Sequence, residues 1–336
     1  MSLDHKLADA AIERVSRCAT WWFTMAVALA VGCQPGFAQS IREFHRTLTV
    51  APTIPVSLDI EISRGDLEIA YSRDGEVAIT AIAQISTSAK VEDDFLSTPL
   101  AIEQNGNRLR IRQSSRPGSS EGETKVAYRI DVPYRTEVHS VVDKGNQKII
   151  GVLGPVEAVT RRGDIKASYI SKSLLAQAGS GNLDLQVIGE HVNAKTGNGN
   201  ISCIRASAGV SAETEDGDIT LMVVGSSTAT VKKGSGRIDA GGIRGTLSAS
   251  SDTGELRVKA VPHDDWKLNS NSGNIRVELP PSSKFELDAT TNSGAVSIDR
   301  DDVEGADSAT RHFHYRVNGG DKRIEVHTGT GRISIM

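Results

Sequence analysis

The chain has 336 residues, 38 basic and 42 acidic, for a net charge of −4. That balance excludes the basic field that phosphate-backbone binding needs, and with it nucleic acid as a partner. Aromatics are 4% of residues and supply stacking platforms poorly, while 32 glycines against 10 prolines point to many regular tight turns.

Residues 1–38 read as a signal peptide. Lys6, Arg14 and Arg17 make a positive start, and Ala19 to Gly32 is uncharged. This run is too short to span a bilayer as a helix but suits a signal core. Pro35 then breaks it, and Gly36-Phe37-Ala38 offers small residues for a cut before Gln39. A second reading takes Ala30-Val31-Gly32-Cys33 as a lipobox with lipid anchoring at Cys33. The ordinary cut is preferred, because Ala30 stands where that motif has a larger aliphatic residue. The expectation is an exported protein of the periplasm, outer surface or medium, with no transmembrane segment in the mature chain. Of three cysteines, Cys18 and Cys33 lie in the export segment, so Cys203 has no disulfide partner within the mature chain.

Residues 39–144 are strand-rich but irregular. Val56 to Ile62, Leu67 to Ile69, Val77 to Ile82, Leu109 to Ile111 and Val126 to Val132 read as strands. Gly65-Asp66-Leu67 is an early isolated copy of the motif described next, and Ser114 to Glu123 is a polar loop. The region is expected to start the rod and cap it; a separate β-sandwich is the alternative.

Residues 145–300 carry a repeat. A glycine followed two residues later by Ile, Leu or Val recurs at Gly163, Gly181, Gly199, Gly217, Gly236, Gly254, Gly273, Gly294 and Gly331. The spacings are 18, 18, 18, 19, 18, 19, 21 and 37, and Gly145 is a degenerate first member. Two residues after the glycine stand Ile165, Leu183, Ile201, Ile219, Ile238, Leu256 and Ile275, and four after it come positions such as Leu185, Cys203 and Leu221. The residue between is usually polar, so each run alternates as a half-buried strand does. A second strand precedes the glycine, with inward residues seven and five before it. Examples are Leu174 and Ala176, Val192 and Ala194, Ala229 and Val231, and Trp266 and Leu268. The residue three before is mostly small, with Lys233 an exception. Such coils predict an all-β, parallel β-solenoid of about 18 residues and two short strands per turn. Successive coils stack at about 4.8 Å with the glycine at the turn. Residues 301–336 read as an acidic insertion, a hairpin of His312 to Val317 with Ile324 to Val326, and a final strand, together a C-terminal cap.

The order of export signal, strand-rich opening, Ile130-Asp131-Val132-Pro133-Tyr134 and serial Gly-Asp-Ile or Gly-Asn-Ile repeats resembles the bacterial putative-adhesin family of unknown function with β-strand repeats. The resemblance spans residues 45–336. It implies an envelope or surface β-solenoid and supplies no catalytic residues.

The chemistry-bearing residues are sparse. The inward register of Cys203 makes it a core residue. His312 and His314 share a strand face, with His327 within reach, and form a weak metal candidate. Asp164, Asn182, Asn200 and Asp218 follow the turn glycines and should stack as a polar ladder; Asp164 and Asp218 are weak calcium candidates. Glu215, Asp216 and Asp218, with Asp184 and Asp239 on an outward face, are the acids a glycosidase reading would use. No cofactor is implied. The favoured function is a non-enzymatic binding or scaffold module whose partner is a protein or glycan at the cell envelope. The alternatives are a polysaccharide-active enzyme, a self-assembling element or an envelope-stress accessory protein.

Overall fold

A computed structural model describes residues 39–86, 99–114, 124–232, 236–300 and 311–336. The expected export segment, residues 115–123 of the polar loop, Lys233 and the acidic insertion at 301–308 lie outside the described residues. All regular elements described are strands. They form two 14-stranded sheets, A and B, around one apolar core. The chain is a β-solenoid, and among the described residues its two sheets continue through the N-terminal strands.

Each coil gives one strand to sheet B and the next to sheet A, as in Val192–Asn198 followed by Ile201–Ala206. Equivalent residues pair in parallel. Ile201 lies between Leu183 and Ile219, and Ala194 lies between Ala176 and Ala212. Alternation turns every second side chain inward, so Ile165, Ile201, Cys203, Ile219, Ile238, Leu256, Trp266 and Ile275 are all buried. Fully burying an aliphatic side chain contributes roughly 1.5–3 kcal/mol, and the stacked columns repeat that gain along the rod.

A further inward column breaks the alternation. Val152, Ile170, Ile188, Ala206, Val224 and Ile243 are buried, although strict parity would turn them outward. The residue before each is left-handed: Gly151, Tyr169, Val187, Arg205, Val223 and Gly242 have φ between 56° and 75°. That conformation bends the strand at the corner and brings the next side chain back to the core. It is disfavoured for β-branched residues such as Val187 and Val223.

The glycine turns stack backbone on backbone. A Cβ on Gly163, Gly181 or Gly199 would lie 2.0–2.1 Å from the carbonyl oxygen of the preceding glycine in the column, and Gly145 meets Gly65 in the same way. Two ladders hold this column. In the first, the residue after each glycine donates its N–H to the side-chain oxygen of its predecessor. Asn182 N–H bonds Asp164 Oδ1 at 2.7 Å, Asn200 bonds Asn182 at 2.9 Å, and Asp218 bonds Asn200 at 2.8 Å. In the second, buried Thr hydroxyls three residues before the glycine donate to the glycine carbonyl one coil back. These are Thr196 to Gly181 at 2.9 Å, Thr214 to Gly199 at 3.1 Å and Thr328 to Gly273 at 2.9 Å. Ala178 interrupts this hydroxyl column between Thr160 and Thr196. Ala178→Thr is therefore expected to raise stability by about 1 kcal/mol, read as a higher urea midpoint at unchanged slope. A lower midpoint would show that the column has no room there.

One coil has a different register from the count off Gly236. Ser227, Ala229 and Val231 pair with Val210, Ala212 and Thr214, two residues out of step. Ala229 thus fills the second inward place and Val231 the third, because the chain between Val231 and Ile238 is longer than in neighbouring coils.

Both ends depart from chain order. The coil Trp266–Ser270 with Ile275–Glu278 is followed in sequence by Phe285–Thr291 with Val296–Ile298, but not in space. The last coil, Arg323–Thr328 with Ile333–Ile335, lies between them. The expected hairpin is corrected accordingly. His312–Val317 pairs antiparallel with Phe285–Thr291 at the edge of sheet B, and Arg323–Thr328 occupies the other side of that strand. In this arrangement Ile324, Val326, Ile333 and Ile335 are buried, with a coil on each side. The N-terminal end mirrors it. Val56–Arg64 with Asp66–Tyr71 sits between Arg108–Gln113 with Thr124–Val132 and Thr136–Lys144 with Gln147–Ile150. A buried cross-tie marks this second junction. Ser140 Oγ donates to Gln147 Oε1 at 2.6 Å, and Gln147 Nε2 donates to the Val159 carbonyl at 2.6 Å.

Candidate binding groove

On the outer face of sheet B, six strands from Thr136–Lys144 to Ser227–Val231 border a groove of about 900 Å³. Its floor is one outward column: His139, Glu157, Leu175, Asn193, Ser211 and Thr228, paired rung by rung. Five strand spacings make the groove about 24 Å long. Its wall, which includes Ser173, His191 and Ser226, belongs to the turns that follow the left-handed corners. Each coil contributes one rung because the register is fixed by the buried neighbour of each floor residue.

The electrostatics are simple. No Lys or Arg lines the groove, and its carboxylates, Glu137 and Glu157, lie towards the N-terminal end. His139 Nδ1 is 3.1 Å from Asp59 Oδ1, and its Nε2 is 3.8 Å from Glu157 Oε1. His191 Nδ1 accepts the Gly209 N–H at 3.3 Å, which leaves Nε2 as the ring donor. In the adjoining outward column, Lys232 at 2.7 Å and Lys195 at 3.0 Å bind Glu213. Both hold its carboxyl below the ordinary carboxylate range.

The residues singled out by sequence lie elsewhere. Asp164 and Asp218 each use Oδ1 to accept the next coil's N–H, from Asn182 and from Arg237, both at 2.7 Å. His312 Nδ1 is 2.9 Å from Thr290 Oγ1, and His314 Nε2 is 3.4 Å from Glu286 Oε1. His327 lies across Thr290 from His312. No cluster of three His, Cys, Asp or Glu able to hold a metal occurs among the described residues. Cys203 is fully buried, and desolvation pushes its thiol up to about 12, which removes the thiolate that nucleophilic chemistry requires. Asp184 and Asp239 share the outward column of sheet A, three strand steps apart. That is about 14 Å, beyond the roughly 5–9.5 Å between the paired carboxylates of glycosidases.

The groove had no sequence signal, because its floor alternates among His, Glu, Leu, Asn, Ser and Thr without a shared chemistry. The corner column did have one: Ile170, Ile188, Val224 and Ile243 keep the repeat's beat, seven residues after the glycine.

No helix among the described residues is long and apolar enough to cross a membrane. No curated protein matches the chain. Among solved structures, a putative cell adhesion protein from Clostridium sporogenes is 14% identical and covers 88% of this chain and 99% of its own, with a TM-score of 0.24. A putative adhesin from Bacteroides fragilis is 14% identical, with coverages of 91% and 100% and a TM-score of 0.33. A putative lipid binding protein from Parabacteroides distasonis is 15% identical, with coverages of 88% and 97% and a TM-score of 0.31. Scores this low bear on neither site nor activity. The sequence itself matches the Toastrack DUF4097 description over residues 56–336, nearly all of the rod, and the chain belongs to that family.

Proposed function

We propose that the chain is a non-enzymatic binding module, exported to the cell envelope or surface, which uses its rod to hold the sheet B groove in a fixed shape. One observation carries the reading: the groove is continuous over six coils, and every rung of it is set by a packed core behind it. Pre-organised surfaces of this kind bind without paying to order themselves. Asp184 and Asp239, two of the acids of the enzymatic alternative, lie three strand steps apart on sheet A, and the one described cysteine is buried. The adhesion-related names of the solved structures are compatible with this role, which rests on the groove and not on them.

The test uses fluorescently labelled residues 39–336 incubated with intact bacterial cells and with purified envelope fractions. Saturable retention on at least one fraction is expected, with no turnover of polysaccharide in parallel assays. Failure to be retained on any of them would sink the proposal. Concentration-dependent growth of the particle in light scattering, without retention, would favour a self-assembling element instead.

A further inference from the structure

We infer that the groove takes an uncharged, extended, β-linked glycan chain lying along the rod axis, with about one sugar facing each coil. The inference rests on the groove being the binding surface proposed above.

The backbone narrows the choice of ligand first. The strands behind the groove each have a parallel neighbour on both sides, so their N–H and C=O groups are already engaged. A peptide cannot add as a further strand there, and recognition falls to side chains. Besides two histidines and two glutamates, the polar side chains are hydroxyls and an amide, among them Ser173, Asn193, Ser211, Ser226 and Thr228. They both donate and accept, which matches the hydroxyl pattern of a sugar ring, and Leu175 gives the carbon face of a ring an apolar rest.

Charge narrows it again. The lining has no Lys or Arg, and Lys195 beside it is bound to Glu213. Glu137 and Glu157 repel a phosphate- or uronate-bearing polymer at one end. The pitch then favours a chain. Rungs recur about every 4.8 Å, close to the advance per sugar in an extended β-linked polymer, so each sugar can face one rung in step. Small repeated contacts in register add in the manner of linked sites.

Calorimetry on residues 39–336 tests this with neutral β-1,4- and β-1,3-linked oligosaccharides of two to eight sugars, and with polygalacturonate. Affinity is expected to climb with length and level off at about six sugars, one for each rung. Asn193→Arg and Ser211→Arg, each checked for an unchanged melt, are expected to weaken binding at least about tenfold. Thr220→Arg, on sheet A, should leave it unchanged. Silence with every neutral oligomer, while the protein still binds envelope fractions in a groove-dependent way, overturns the glycan and spares the groove. Retention on cells that survives both groove variants overturns the groove itself. Polygalacturonate binding as tightly as the neutral chains overturns the charge argument, and a disaccharide matching a hexasaccharide overturns the one-sugar-per-coil register.

Discussion

Gly199→Ala is expected to destabilise the rod by about 3–5 kcal/mol, one of the largest effects a single methyl group can have here. Two penalties coincide at this position. The φ of +149° is a conformation that side-chain-bearing residues rarely adopt, and the added Cβ would sit 2.1 Å from the Gly181 oxygen and 2.6 Å from its carbonyl carbon. Neither neighbour is a flexible side chain that can swing away. The coils at this turn must separate, which breaks the Asn200 to Asn182 rung and the Thr196 hydroxyl bond to the Gly181 carbonyl. Gly106→Ala is the control. Its φ of +60° also strains an alanine, but nothing lies within 4 Å of the new methyl, so about 1 kcal/mol is expected. Urea melts followed by circular dichroism compare the two. Equal midpoints would mean that coil separation at the glycine column is cheap, contrary to the packing.

Removing residues 319–336 is expected to have the largest effect of all. The deletion leaves a vacant slot between the coils of Trp266–Ser270 and Phe285–Thr291, not a shorter rod. Ile324, Val326, Ile333 and Ile335 are lost, each worth roughly 1.5–3 kcal/mol of burial, and the residues facing them on both sides become wet. Trp266 is the only tryptophan in residues 39–336 and reports directly. It is 1% exposed, lies beside Ile324, and donates its Nε1–H to the Gly245 carbonyl at 3.2 Å. Its emission should shift to the red, and residues 279–300 should become protease-sensitive. A truncated chain with wild-type emission and a single cooperative melt would show that the flanking coils close the gap by themselves.

The repeat was legible because stacking demands the same residue type at the same turn. The glycine beat and the alternation after Gly199 or Gly217 led directly to coils and to an inward face. Three features escaped the pattern for physical reasons. Four of the six left-handed corners are occupied by Tyr169, Val187, Arg205 and Val223, residues without the glycine or asparagine signature of that conformation, so the parity switch before Ile170 and Ile188 showed only in the beat of the buried residues after it. The hydroxyls of Thr196 and Thr214 read as merely small, although each bonds a carbonyl one coil away. Periodicity identifies coils without fixing their spatial order, so the placement of Arg323–Ile335 ahead of Phe285–Ile298 could not be read from spacings. The long gap from Gly294 to Gly331 was its one trace. The groove is less legible still, since its rungs come from six coils and share a position but no chemistry.

The out-of-order final coil also bears on how the molecule is made. A solenoid stacked in chain order can lay down each turn as it leaves the ribosome or a translocation channel, every new turn settling on a finished one. Here the turn that covers Trp266 emerges after the turn stacked on its far side, which until then has no finished neighbour to settle on. That end of the rod therefore stays open until Arg323 to Met336 have emerged. Those fourteen residues act as the stitch that closes this end of the weave.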